Sequence, residues 1–90
     1  MDPALEEILA LLRCPEKLVR LRQASKSELE CLNARIRAGE MKNKGGDTVS
    51  EALDEALIRD GDDVAYAIRA GIPILIIEEG LIIEAGLLSN

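Results

Sequence analysis

Few residues in this chain have types and spacing suited to chemistry. Cys14-Pro15-Glu16-Lys17 opens like a metal-binding C-x-x-C turn but places a lysine where the second thiolate would fall. Cys31 has no neighbouring cysteine, whereas a zinc site needs about four ligands, commonly in two close pairs. The chain has no histidine, which removes the commonest general base and a common metal ligand. Two structural thiols are the reading this supports; a metal site shared between chains and redox chemistry are the alternatives the ligand count disfavours. The carboxylate clusters Glu6/Glu7, Glu78/Glu79 and Asp60/Asp62/Asp63 stand beside no second kind of catalytic group and read as solvated faces or turns. Asp60-Gly61-Asp62-Asp63 lacks the spacing and the terminal glutamate of an EF-hand loop. In Lys42-Asn43-Lys44-Gly45-Gly46 the glycines follow the lysines and no strand enters, so it is not a P-loop. No catalytic residue, metal or cofactor is expected.

The elements that position these groups come from 90 residues, enough for one domain. Leu, Ile and Val supply 27 of them, so the chain can build a core, but Tyr66 is the single aromatic and offers no stacking platform for bases. A net charge of −6 repels phosphate backbones and anionic lipid, leaving basic protein patches as the suitable partners. The N-terminal stretch carries Asp2, Glu6 and Glu7 without a basic n-region, so a cytoplasmic, reduced setting is expected. Residues 72–88 are apolar but interrupted by Glu78, Glu79 and Glu84, which excludes a membrane span of about 20 residues.

Asp2-Pro3 followed by Leu5, Ile8, Leu9 and Leu12 predicts a helix over about 3–13, ended by Pro15. Alternation over 18–22 predicts a short strand. Ser25-x-x-Glu28 is a capping-box spacing, and with Leu29, Leu32, Ile36 and the stop at Gly39 it predicts a second helix over about 26–38. Residues 41–48 read as a loop, and 50–59 as either a Ser50-capped helix or a strand entering a hairpin at Asp60-Gly61. Strands over 64–68 and 73–77, joined by a turn at Arg69-Ala70-Gly71, complete a single α+β domain over residues 1–90 with a small antiparallel sheet.

Leu12-Arg13-Cys14-Pro15 after a leucine-rich helix, together with Tyr66-Ala67-Ile68-Arg69-Ala70-Gly71-Ile72-Pro73 near the other end, resembles the short bacterial branch of the tRNA methyltransferase 112 activator-subunit family. The resemblance covers about 35 residues at the two ends of the chain, and its motif residues here are Cys14, Pro15, Tyr66, Ile68, Arg69, Gly71, Ile72 and Pro73. It implies a degenerate zinc-ribbon-like fold into which the 26–38 helix is inserted, favours strand over helix at 56–59, and implies a non-catalytic adaptor that stabilises an S-adenosylmethionine-dependent methyltransferase. The rival expectation is a self-associating structural protein, a homodimer. In either case the aliphatic excess at Ile74, Ile76, Leu81, Ile82 and Ile83 is the candidate partner-binding surface, with an open strand edge as its template; the alternative is that the two helices cover both faces and these side chains form the domain's own core.

Overall fold

The capped helix forms where its sequence signals place it. In the computed structural model, which describes residues 12–84 and 86–88, the Ser25 Oγ accepts from the Glu28 amide at 3.2 Å and Glu28 Oε1 accepts from the Ser25 amide at 2.9 Å. This closes the capping box at the start of α1, Lys26–Arg37. At its other end Gly39, at φ +74°, lets the Gly39 and Glu40 amides turn back onto the carbonyls of Ile36 and Arg35. Leu32 and Ile36 face inward as the apolar stripe requires.

The sheet is antiparallel throughout. β1 (Leu21–Gln23) pairs with β2 (Glu55–Arg59), and β2 with β3 (Val64–Arg69). The far edge of β3 is shared by β4 (Ile72–Pro73) and β5 (Leu81–Ile82), with a 3₁₀ turn at Ile77–Glu79 between them. The molecule is therefore α+β, with the helix, inserted in sequence between β1 and β2, packed on one face of an antiparallel sheet. β2 and β3 are covered on both faces, which accounts for their nearly unbroken apolar runs. On one face Leu32 and Ile36 of α1 cluster with Ala56, Ile58 and Ala65 of the sheet; Cys14, Leu21, Leu57, Val64, Tyr66 and Ile68 pack on the other. Among the described residues no helix is long and apolar enough to cross a membrane.

Several boundaries differ from those expected. The N-terminal helix falls on residues outside the described ones, apart from Leu12 and from Arg13, which bridges to Arg20. The first strand begins at 21, not 18, because Leu18 closes a turn at φ +58°. Residues 55–59 are strand; Leu53, just before them, is held at both its amide and its carbonyl by the Asn33 side chain. The strand expected over 73–77 stops at Pro73. Its successor Ile74 makes one last ladder bond to Ala67, and the chain then leaves so that β5 can pair with Val64 and Ala65. Gly80 makes that return feasible, since a Cβ there would lie 2.9 Å from Val64 Cγ1.

Candidate functional site

The Cys14-Pro15-Glu16-Lys17-Leu18 turn is built by two main-chain bonds: Cys14 donates to the Val19 carbonyl at 2.9 Å and Leu18 to the Cys14 carbonyl at 2.8 Å. The turn delivers Cys14, fully buried, against Tyr66 of β3, with Sγ and the phenol oxygen hydrogen-bonded at 3.0 Å. Cys14 also meets Arg59, the last residue of β2, whose side chain is 4% exposed. Its Nη1 donates to Cys14 Sγ at 3.6 Å and to Glu16 Oε1 at 2.7 Å. Its Nε and Nη2 clasp both oxygens of Asp63 at 2.7 and 2.8 Å. Lys44, from the 42–48 loop, makes a second contact to Glu16 Oε1 at 2.7 Å.

The electrostatics follow from this arrangement. Burial raises the Cys14 thiol, but hydrogen bonds from Tyr66, the Lys17 amide, Arg59 and the Glu16 amide outweigh it and hold the thiol below its ordinary value. Burial, aided by the Cys14 hydrogen bond, pushes the Tyr66 phenol well up, so it stays protonated. Lys44 and Arg59 lower Glu16, and Arg59 lowers Asp63. These residues do not suit a zinc ion, which the sequence resemblance brings into question. One thiol is present, it is already engaged by Tyr66, and a guanidinium faces it. Among the described residues no group of three or more Cys, His, Asp or Glu is placed to hold a metal. Cys31 lies half-buried on α1, and neither cysteine is in a disulfide.

The ionic cluster forms one wall of an open groove of about 610 Å³, whose other walls include Val64, Ile77, Ile82 and Glu78. Ile82 thus faces it directly. Of the other residues expected to bind a partner, Ile76 is 52% exposed but Ile74 is half-buried against the core. Leu81 and Ile83 are buried in the core, since side chains alternate in β5 and just after it and Ile82 turns outward, although Ile83 still lines the groove beside Ile82. The open-edge template is also corrected, because the Ile74–Ile77 stretch is no strand, and β5 is flanked by β3 on one side and by Lys42 and Asn43 on the other. Ile72 and Ile77 join Ile76 and Ile82 as exposed aliphatic side chains.

The remaining motif residues shape the hairpin. Ile68 is fully buried and faces Pro73 across the ladder, while Ala70 and Gly71 both take positive φ in the two-residue turn. Arg69 donates to the Ala52 carbonyl at 2.7 Å and to the Glu51 carbonyl at 3.2 Å, pinning the approach to β2. Pro15 is the first residue of the turn that follows Cys14. Sequence reading missed Glu16, Lys44, Arg59 and Asp63 as a group. A signal for Arg59 did exist, since it lies two residues after buried Leu57 and on the same face of β2.

A small α+β domain with a capped helix over an antiparallel sheet, carrying an internal ionic cluster beside an aliphatic groove, is the class of protein this geometry defines. No family model matches the chain, and no curated protein matches it. Among solved structures it is similar to the solution NMR structure of XF2673 from Xylella fastidiosa, a Northeast Structural Genomics Consortium target, with a TM-score of 0.70 and 30% identity. The match covers 91% of this chain and 81% of that one, and the chain belongs to the family of that Xylella protein.

Proposed function

We propose that this chain is a non-catalytic, cytoplasmic adaptor that binds a protein partner, with an S-adenosylmethionine-dependent methyltransferase as the partner class the sequence resemblance suggests. In this reading the domain is a degenerate, metal-free zinc ribbon carrying α1 as an insertion. The observation that carries the reading is the outward placement of Ile72, Ile76, Ile77 and Ile82, at 37–63% exposure, in a domain whose other large aliphatic side chains are mostly covered. Ile77 and Ile82 wall the groove, and its two cations, Lys44 and Arg59, are already neutralised by Glu16 and Asp63. Glu78, in no ion pair among the described residues, is the groove's unanswered charge. A partner segment with aliphatic side chains and a basic residue fits that lining better than a phosphate or a nucleic acid. Catalysis is disfavoured because the Cys14 thiol, held below its ordinary value by its hydrogen bonds, is sealed from solvent.

The rival reading is a symmetric homodimer in which a second copy covers the same isoleucines. Affinity capture from native lysate, run beside light scattering of the pure protein, separates them. The adaptor reading expects a methyltransferase to be retained by the native chain and lost on Ile82→Asp, with the thermal melt unchanged. A stable dimer that Ile82→Asp dissociates, with no methyltransferase retained, favours the rival. Equal capture by both chains removes the groove from the binding surface.

A further inference from the structure

We propose that the Arg59 guanidinium is the structural cation of this fold, doing from within the protein what a bound metal ion does when it cross-links a turn to a hairpin. A structural metal works by gathering donors from separate segments about one charge. Arg59 gathers the same kinds of donor: a sulfur and a carboxylate from the 14–18 turn, through Cys14 and Glu16, and a second carboxylate from the β2–β3 loop, through Asp63. A guanidinium suits the task because it is permanently charged and presents five N–H donors in a planar fork. The two oxygens of Asp63 take one edge of the fork, while Nη1 is shared by Cys14 and Glu16. Lys17 occupies the position of the second thiolate, so the turn supplies one sulfur, and the cation it meets is covalently part of the chain. Among the described residues every buried side-chain nitrogen and oxygen has a partner, so the cluster is complete without an added ion.

If this is correct, the native fold is indifferent to metal and its cation can be exchanged for one. Three chains test it: the native protein, Arg59→Lys, and the double variant Lys17→Cys/Arg59→Cys, which offers three thiols beside Glu16 and Asp63. The native protein is expected to melt at the same temperature with EDTA or with added zinc. Arg59→Lys keeps the charge but loses the fork; it should melt about 10 °C lower, with amide exchange at Cys14 and Leu18 accelerated more than at the β2–β3 ladder. The double variant should take up one cobalt(II) ion with thiolate-to-metal charge-transfer absorption, and zinc should raise its melting temperature or induce its folding. The proposal is overturned by a native melt that EDTA lowers and zinc restores. It is equally overturned by an Arg59→Lys chain with native stability and exchange, or by a double variant that neither binds cobalt nor responds to zinc.

Discussion

The two walls of the groove use their residues in opposite senses. On one, a charged Arg59 is drawn almost wholly out of water; on the other, Ile77 and Ile82 remain partly in it. Burying an arginine costs several kcal/mol unless its donors are answered, and here Glu16, Asp63 and Cys14 answer them. Leaving an isoleucine exposed forgoes up to about 1.5–3 kcal/mol, and nothing in the described chain recovers it. The ionic wall is thus complete in the isolated domain, whereas the aliphatic wall gains only when something covers it. Internal architecture explains the first, and the proposed partner surface is the role argued for the second.

The sharpest way to break this comparison uses adjacent residues on β5. Leu81 is 2% exposed and Ile82 is 44% exposed. Leu81→Asp places an unpaired carboxylate in the helix-side core and should cost more than about 4 kcal/mol, enough to unfold a domain of this size. Ile82→Asp should change stability by less than about 1 kcal/mol. Urea denaturation of both variants checks the pair. Equal losses would mean that Ile82 is core and that the aliphatic wall is no more available than the ionic one.

That alternation is legible in principle, yet composition treats Leu81, Ile82 and Ile83 as one group, all surface or all core. Local signals served well where one segment carries the whole instruction: Ser25 and Glu28 cap α1 within two residues of the expected bounds, and Ala70-Gly71 sets the β3–β4 turn. They failed where two segments compete for one partner. Ile74–Ile77 has strand composition, but β3 has a single free edge, and β5 takes its Val64–Ala65 end. A period of two cannot say which of two apolar stretches wins a ladder, because the decision depends on contacts distant in sequence. The Arg59 cluster was hidden for the same reason, since Glu16 lies 43 residues from it along the chain.

Acid should act on the molecule's ion pairs, within the groove and away from it, and spare the aliphatic wall. Arg22 reaches from β1 to both oxygens of Glu28 and to Asp62 at 2.8, 2.8 and 3.0 Å. The Arg22 bonds, helped by the Ser25 amide and opposed by burial, lower Glu28 from 4.5 to about 2. A carboxyl depressed in the folded state contributes stability that is complete above its unfolded pKa and is lost as pH falls through the folded one. Stability should therefore decline from about pH 4.5 towards 2, with Glu16 and Asp63, also lowered, adding to the loss. Glu28→Gln preserves the capping-box spacing while removing the charge. It should flatten the decline by about 1 kcal/mol, the value being limited by solvent around Arg22, whose side chain is 45% exposed. Chemical denaturation at successive pH values measures this, and an unchanged curve would show that the charge adds nothing beyond its hydrogen bonds.

The smallest expected effect falls on Leu18, where the two kinds of region meet in one residue. It closes the Cys14 turn at φ +58° and exposes 73% of its surface, so it is both conformationally strained and uncovered. The left-handed region costs an L-residue about 1–2 kcal/mol. Glycine removes that cost but loses roughly 0.5–1 kcal/mol through its freer unfolded chain. Leu18→Gly should therefore stabilise the isolated domain by about 0.5 kcal/mol, a rise of roughly 2–4 °C in melting temperature, with the turn bond from residue 18 to the Cys14 carbonyl retained. A lower melting temperature would mean that the leucine packs against the turn more than its exposure indicates. If the melt rises while partner capture weakens, Leu18 extends the binding surface beyond the groove. If the melt rises and capture is intact, binding ends at Ile77 and Ile82, and the strain at Leu18 belongs to the closure of the Cys14 turn alone.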